Sequence, residues 1–173
     1  MKLTPLVLVV TLCLAAASVR AQTVTDAQIA SIVVTANQVD IDAGTLAASR
    51  ATSGEVKAFA KLMITDHTAV NKSAADLVTR LKVTPQENAT SQSLKAGGEK
   101  NRAHLKTLKG TAFDKAYVDQ EIAYHQQVID ALDTTLIPSA ANGELKALLI
   151  KVRPAFVAHL EHAKHLQLSA KDN

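Results

Sequence analysis

Apolar residues recur in alternating steps of four and three along three stretches of the chain, the spacing that holds side chains on one side of a helix. One stretch runs Val56, Ala60, Met63, His67, Val70, Ala74, Leu77, Leu81. A second runs Val118, Ile122, His125, Ile129, Leu132, Leu136, and a third runs Leu145, Leu149, Val152, Phe156, His159, Ala163, Leu166, Ala170. A looser stripe joins Ile29, Ile32, Ala36, Val39, Ala43 and Leu46, with Asp40 on its shoulder. Each strict stripe is broken by a single polar residue, and each time that residue is histidine.

Start and stop signals bound these stripes. Thr25 with Gln28, Thr52 with Glu55 and Thr111 with Asp114 have the spacing of capping boxes, and Asn142 before Glu144 marks a fourth start. Gly54, Pro85, Gly110 and Pro138 read as stops. The pattern predicts helices over 26–50, 54–82, 111–136 and 143–170. At 1.5 Å per residue each is about 35 to 45 Å long, the length of bundle helices. The connection over residues 83–110 is far longer than a turn between antiparallel neighbours, so it is expected to cross the bundle from end to end. Residues 91–108 within it can form a helix, with a bend expected at Gly97-Gly98. The triplet Asn88-Ala89-Thr90 matches a glycosylation sequon that chance alone supplies often.

Composition agrees with one all-α domain, since the chain is rich in alanine and has only 6 glycines and 4 prolines in 173 residues. Lys2, the apolar run over residues 6–17 and Val19-Arg20-Ala21 read as a secretory signal cut after Ala21, leaving residues 22–173 as the domain. The apolar run is too short to span a bilayer, and no membrane-spanning segment is expected. The single cysteine, Cys13, falls inside the leader, so the exported chain is expected to lack thiolate chemistry and to ligate any metal through nitrogen and oxygen. Without Lys2 and Arg20 the basic residues fall from 19 to 17 against 16 acidic ones. That near balance, with 5 scattered aromatics, excludes a nucleic-acid binder. The expected location is the periplasm or the outer membrane, with peripheral envelope association; the letters say nothing of oligomeric state.

The candidate chemistry comes from depth. His67, His125 and His159 stand about 14, 14 and 16 residues into their expected helices, and Asp40 about 15 into the first. All four reach one mid-length layer whichever way each helix runs. Asp66 adjoins His67, and Glu121 stands one turn before His125. Burying a polar ring without a partner costs about 1 to 3 kcal/mol, so such a layer needs company. Two readings follow. In one, the imidazoles converge with Asp40 or Asp66 on a transition metal, with zinc, iron, copper or manganese all suited to these ligands and outer carboxylates such as Glu121 fixing the tautomers. In the other, the layer belongs to an envelope structural or interaction module, and its histidines pair with Asp40, Asp66, Glu121 or water only to fix helix register. No nucleophile–base pair or phosphate loop argues for an enzyme; were the chain one, a metal with an open position would give redox or hydrolytic chemistry. His162 and His165 rotate off the seam and read as a solvated face, as does His104 in the crossover. Pro154 is expected to bend the last helix five residues before His159. Phe59, Met63, Phe113, Tyr117 and Tyr124 read as core, with the tyrosine hydroxyls near the polar layer.

The block Val56-Lys57-Ala58-Phe59-Ala60, Met63, Asp66-His67, followed by Gly110, Phe113-Asp114, Tyr117, His125, Pro154 and His159 with Ala163, resembles a bacterial exported family of unknown function. This is domain-of-unknown-function family four-one-four-two, often labelled predicted outer-membrane protein and grouped with the ferritin-like superfamily. The resemblance spans essentially the whole exported chain. It implies a ferritin-like four-helix bundle with a long, partly helical crossover between the second and third helices, and it implies export but no activity. Where the family pattern usually has Glu, this chain has Asp40. Ferritin-like di-iron sites use Glu-x-x-His on two helices. Here Asp66 abuts His67 and Glu121 precedes His125 by four, so a histidine-rich mononuclear site fits better than a di-iron one.

Overall fold

A computed structural model describes residues 24–169, which are helical almost throughout; the expected leader over residues 1–21 and the seam position Ala170 lie outside the described residues. Helix α1 (Asp26–Arg50) begins at the expected capping box, with the Thr25 hydroxyl accepting from the Gln28 N–H and the Gln28 side chain accepting from the Thr25 N–H. Helix α6 (Gly143–Ser169) begins under Asn142, whose side-chain oxygen accepts from the N–H groups of Glu144 and Leu145.

Two other expected boxes do not form. Helix α2 (Gly54–Leu81) is capped by Ser53 rather than Thr52, and helix α4 (Gly110–Ala131) starts at Lys109 with no side-chain cap. The reason is tertiary. Asp114 does not turn back on its own helix but accepts from the N–H and hydroxyl of Thr52 and the N–H of Ser53, tying α4 to the α1–α2 corner. Gly54 and Gly110 open helices instead of ending them, Gly110 with a left-handed φ of 59° that a side chain would strain.

Pro138 does not stop its helix where expected. The path runs from α4 through a π-helical turn (Leu132–Leu136) into the short helix α5 (Ile137–Ser139). A proline cannot donate to the carbonyl four residues back and crowds it, and widening the turn relieves both problems. The Ile137 N–H accordingly reaches back five residues, to the Leu132 carbonyl.

The crossover contains helix α3 (Ala89–Thr107), which continues unbroken through Gly97-Gly98. Gly98 is buried against α1, and a Cβ there would stand 2.7 Å from Val39 Cγ1, so the missing side chain lets the two helices touch. Its start is capped by Asn88, the sequon residue, whose side-chain oxygen accepts from Thr90 and Ser91.

Cross-links give the helix directions. Asn88 donates to the Gln28 carbonyl at one end of α3, Arg102 pairs with Asp42, and Arg50 donates to the carbonyls of Lys106 and Leu108 at the other, so α3 runs parallel to α1 along its length. The α1–α2 corner turns within three residues, so α2 runs back along α1. Contacts at Asp114 and later between Tyr124 and the Ala36 carbonyl show α4 running the same way as α2. Asp26 accepts from the N–H groups of Ala141 and Asn142 beside the start of α6, which therefore runs with α1. Since α2 and α4 are parallel, the chain must return to its starting end between them, which explains the long crossover.

The apolar core comes in two parts. One gathers residues such as Ile29, Ile32, Leu77, Leu132 and Leu149, and the other gathers Ala47, Phe59, Met63, Phe113 and Leu166. Along each long helix the switch from one part to the other falls at the polar layer. No helix among the described residues is long and apolar enough to cross a membrane.

Candidate metal centre

One residue from each long helix meets at that switch: Asp40 from α1, His67 from α2, His125 from α4 and His159 from α6. All four are buried, with Asp40 only 1% exposed and His125 not at all. The helix periodicity and the common depth bring this about, because each residue occupies the inward face of its helix near mid-length. The ring centroids of His67, His125 and His159 lie 5.3 to 5.6 Å apart. One ring nitrogen from each falls within 4.8 Å of the others, near the roughly 3 to 4 Å between ligands sharing a zinc ion. Asp40, Glu121 and His125 form a second such group.

Outer partners fix each ring. His67 Nδ1 is 2.7 Å from Asn37 Oδ1, and Asn37 in turn donates to the Val33 carbonyl, so its oxygen must face the ring as an acceptor. His125 Nδ1 is 3.0 Å from the Glu121 carbonyl, and His159 Nε2 is 2.8 Å from Asp66 Oδ2. Each ring thus donates one N–H outward, and in a neutral ring the other nitrogen carries a lone pair. Those other nitrogens are His67 Nε2, His125 Nε2 and His159 Nδ1, and all three are buried without a hydrogen-bond partner. The same holds for both Asp40 oxygens and Glu121 Oε2. Asp40 Oδ2 does lie 2.8 Å from His67 Nε2 and 3.5 Å from His125 Nε2, but without the alignment of a hydrogen bond.

Burial and charge set the protonation states. Burial pushes the His125 pKa down to about 4, against a smaller upward pull from Asp40, and burial likewise lowers His159 against Asp66. Glu121 is pushed well up by burial and then by the neighbouring Asp40 charge. Burial also works to raise Asp40, but the facing His67 and His125 rings outweigh it and the net direction is down. The layer therefore holds His125 and His159 as neutral rings, an ionised Asp40 and a protonated Glu121. Phe156 closes one side, its ring 5.0 Å from that of His67 and 5.9 Å from that of His125.

Of the residues expected from the sequence, His67, His125, His159, Asp40 and Glu121 come together, and Asp66 stands behind His159 at the rim. His162, His165 and His104 are exposed, as expected of a solvated face; His162 rests edge-on against Phe59, with centroids 5.0 Å apart. Asn37 was not foreseen. Its signal was available: it stands one turn before Asp40, where the apolar stripe leaves room for a second polar residue. Tyr124 spends its hydroxyl on the Ala36 carbonyl, whereas the buried Tyr117 hydroxyl has no partner and its pKa is raised well above the usual value by burial and by Glu121.

Residues 11–166 match the family model described as "Domain of unknown function (DUF4142)", and the chain belongs to that family. No curated protein and no solved structure matches it.

Proposed function

Starting from a family without an assigned activity, we propose that this protein is an exported, ferritin-like four-helix bundle that binds one transition metal ion through His67 Nε2, His125 Nε2 and His159 Nδ1, with Asp40 as the oxygen ligand. The observation that carries the reading is the division of labour within each ring. One nitrogen donates to an outer acceptor and the other is buried without an aligned hydrogen bond, the pattern of metal-ligating histidines held in orientation from behind. Asn37, the Glu121 carbonyl and Asp66 are the orienting groups. The up, down, down, up order of α1, α2, α4 and α6, with α3 as the crossover, supports the ferritin-like assignment. The leader pattern supports export to the periplasm or the inner face of the outer membrane.

A layer that only set helix register would pair its polar atoms with one another, because half-satisfied buried networks are costly. This layer leaves six such atoms without an aligned hydrogen bond, although Asp40 Oδ2 stands 2.8 Å from His67 Nε2. Three nitrogens and a carboxylate suit zinc, iron or copper better than magnesium or calcium.

Zinc titration of the purified domain, followed by elemental analysis and thermal melting, tests the proposal. One ion per chain and a rise in Tm are expected. No rise, or a rise that survives His67→Ala combined with His159→Ala, overturns it.

A further inference from the structure

Helix α3 leans on α1 through the Gly98–Val39 contact and touches α4 only lightly, so Gln120 and Gln127 of α4 stay uncovered beside the buried Tyr124. The result is a cleft of about 680 Å³ walled by α1, α3 and α4, with Asp40 and Glu121 on its floor. Glu121 Oε2 and both Asp40 oxygens are buried there without partners. A smaller cavity of about 170 Å³ adjoins it, sharing Thr90, Leu94 and Gln127 as common wall. That second chamber is lined almost wholly by apolar side chains and ends against Phe156, the ring that packs on His67 and His125.

The two chambers differ in chemistry along one axis. At the Leu94 end the walls are apolar. Toward the other end of α3 stand Lys100 and, one turn later, His104, and apart from the two floor residues no carboxylate lines the cleft among the described residues. From Leu94 to Lys100 and His104 the helix advances about 9 to 15 Å. Volumes of several hundred Å³ with apolar walls and a few convergent polar groups are typical of small-molecule sites.

We propose that this cleft binds a medium-chain carboxylate, its apolar tail in the chamber beside Phe156, its head group at Lys100 and His104, and its length passing over Asp40 and Glu121. The head group then sits well away from the floor carboxylates, and the tail replaces water against apolar walls. That the ligand lies against a metal centre rests on the function proposed above; the cleft itself does not.

Octanoate is the probe, titrated calorimetrically into the wild-type domain with and without zinc. Saturable one-to-one binding is expected. Gly97→Leu should weaken it at least tenfold, because Gly97 lines the cleft and a Cβ there meets no atom within 4 Å, leaving room for the larger side chain to occupy ligand space. Lys100→Glu should weaken it by a similar factor through charge reversal at the head group. Both variants should keep the zinc stoichiometry of the wild type, since neither residue touches the histidine layer. No saturable octanoate binding, or binding unchanged in both variants, overturns the proposal. Failure of the metal reading would look different: octanoate would bind and respond to both variants while the wild type took up no zinc.

Discussion

Asp114 and Asp40 are both buried aspartates, 8% and 1% exposed, and the fold treats them in opposite ways. At the α1–α2 corner, Asp114 accepts from the Thr52 N–H at 3.0 and 3.1 Å, from the Thr52 hydroxyl at 2.6 Å and from the Ser53 N–H at 2.7 Å. Its charge is spent on local donors and it joins three elements. In the central layer, Asp40 has no aligned donor on either oxygen, and its Oδ2 stands 2.8 Å from His67 Nε2 and 3.5 Å from His125 Nε2. The chain can satisfy a buried carboxylate where the task is to hold helices together. Where it does not, with three imidazoles equally unfinished beside it, the missing partner is expected to come from outside the chain.

The largest expected effect bears on that missing partner. With free zinc at about a thousandfold over its Kd, binding to the folded state alone adds roughly 4 kcal/mol. In a domain of this size that is a rise in Tm of about 10 °C. His67→Ala with His159→Ala should abolish the rise in differential scanning calorimetry, whereas changes at Asp114 should leave it intact.

Acid tests the same layer without metal. The folded pKa of His125 is about 4 against 6.5 when exposed, so between these values the unfolded chain binds a proton that the folded chain refuses. Falling pH thus favours unfolding, by up to about 3 kcal/mol over the window. Glu121 acts in the opposite sense, since its raised pKa means that the folded chain holds a proton that the unfolded chain releases. Glu121 therefore offsets part of the loss from His125 and from His159, whose pKa burial also lowers, and wild-type stability should fall only shallowly between about pH 6.5 and 4. Glu121→Gln removes the opposing group, and its urea unfolding curves should show the loss on the acid side. An equally shallow fall in both proteins would mean that His125 is not held neutral by burial.

At the corner, Asp114→Ala leaves two backbone N–H groups and a hydroxyl to seek water, and should cost about 2 to 3 kcal/mol by urea unfolding, with zinc stoichiometry unchanged. The smallest effect on the metal-free fold is expected at Asp40. Asp40→Asn breaks no aligned hydrogen bond but removes the charge that faces His67 at 2.8 Å, and the lowered Asp40 pKa means that this charge favours the folded state, so metal-free stability should fall by about 1 kcal/mol. Zinc affinity should nevertheless fall on the order of tenfold or more by competition with a chelating dye. A metal-free loss as large as that of Asp114→Ala would erase the contrast between the two carboxylates.

Much of this was legible from the letters, and the misreadings are instructive. The helix limits at Asp26, Arg50 and Gly143 follow from periodicity and local caps, both of which act within a few residues. Thr52 and Asp114 each had a local box to form and instead bonded to each other across 62 positions, because the corner offered three donors to one carboxylate. Gly97-Gly98 drew notice because glycine weakens an isolated helix; α3 continues through the pair, and against Val39 the missing Cβ of Gly98 is what lets it pack.

By itself the sequence determined that three histidines and Asp40 lie at one depth on inward helix faces. The 1.5 Å rise and 3.6-residue turn are local properties, so counting along each helix fixes height and facing. Only the tertiary structure decided which groups stand behind each ring. Asn37 behind His67, the Glu121 carbonyl behind His125 and Asp66 behind His159 depend on the rotamers that close packing allows, and two of the three lie on neighbouring helices. Those outer partners choose which nitrogen of each ring donates outward, and leave His67 Nε2, His125 Nε2 and His159 Nδ1 buried without an aligned hydrogen bond.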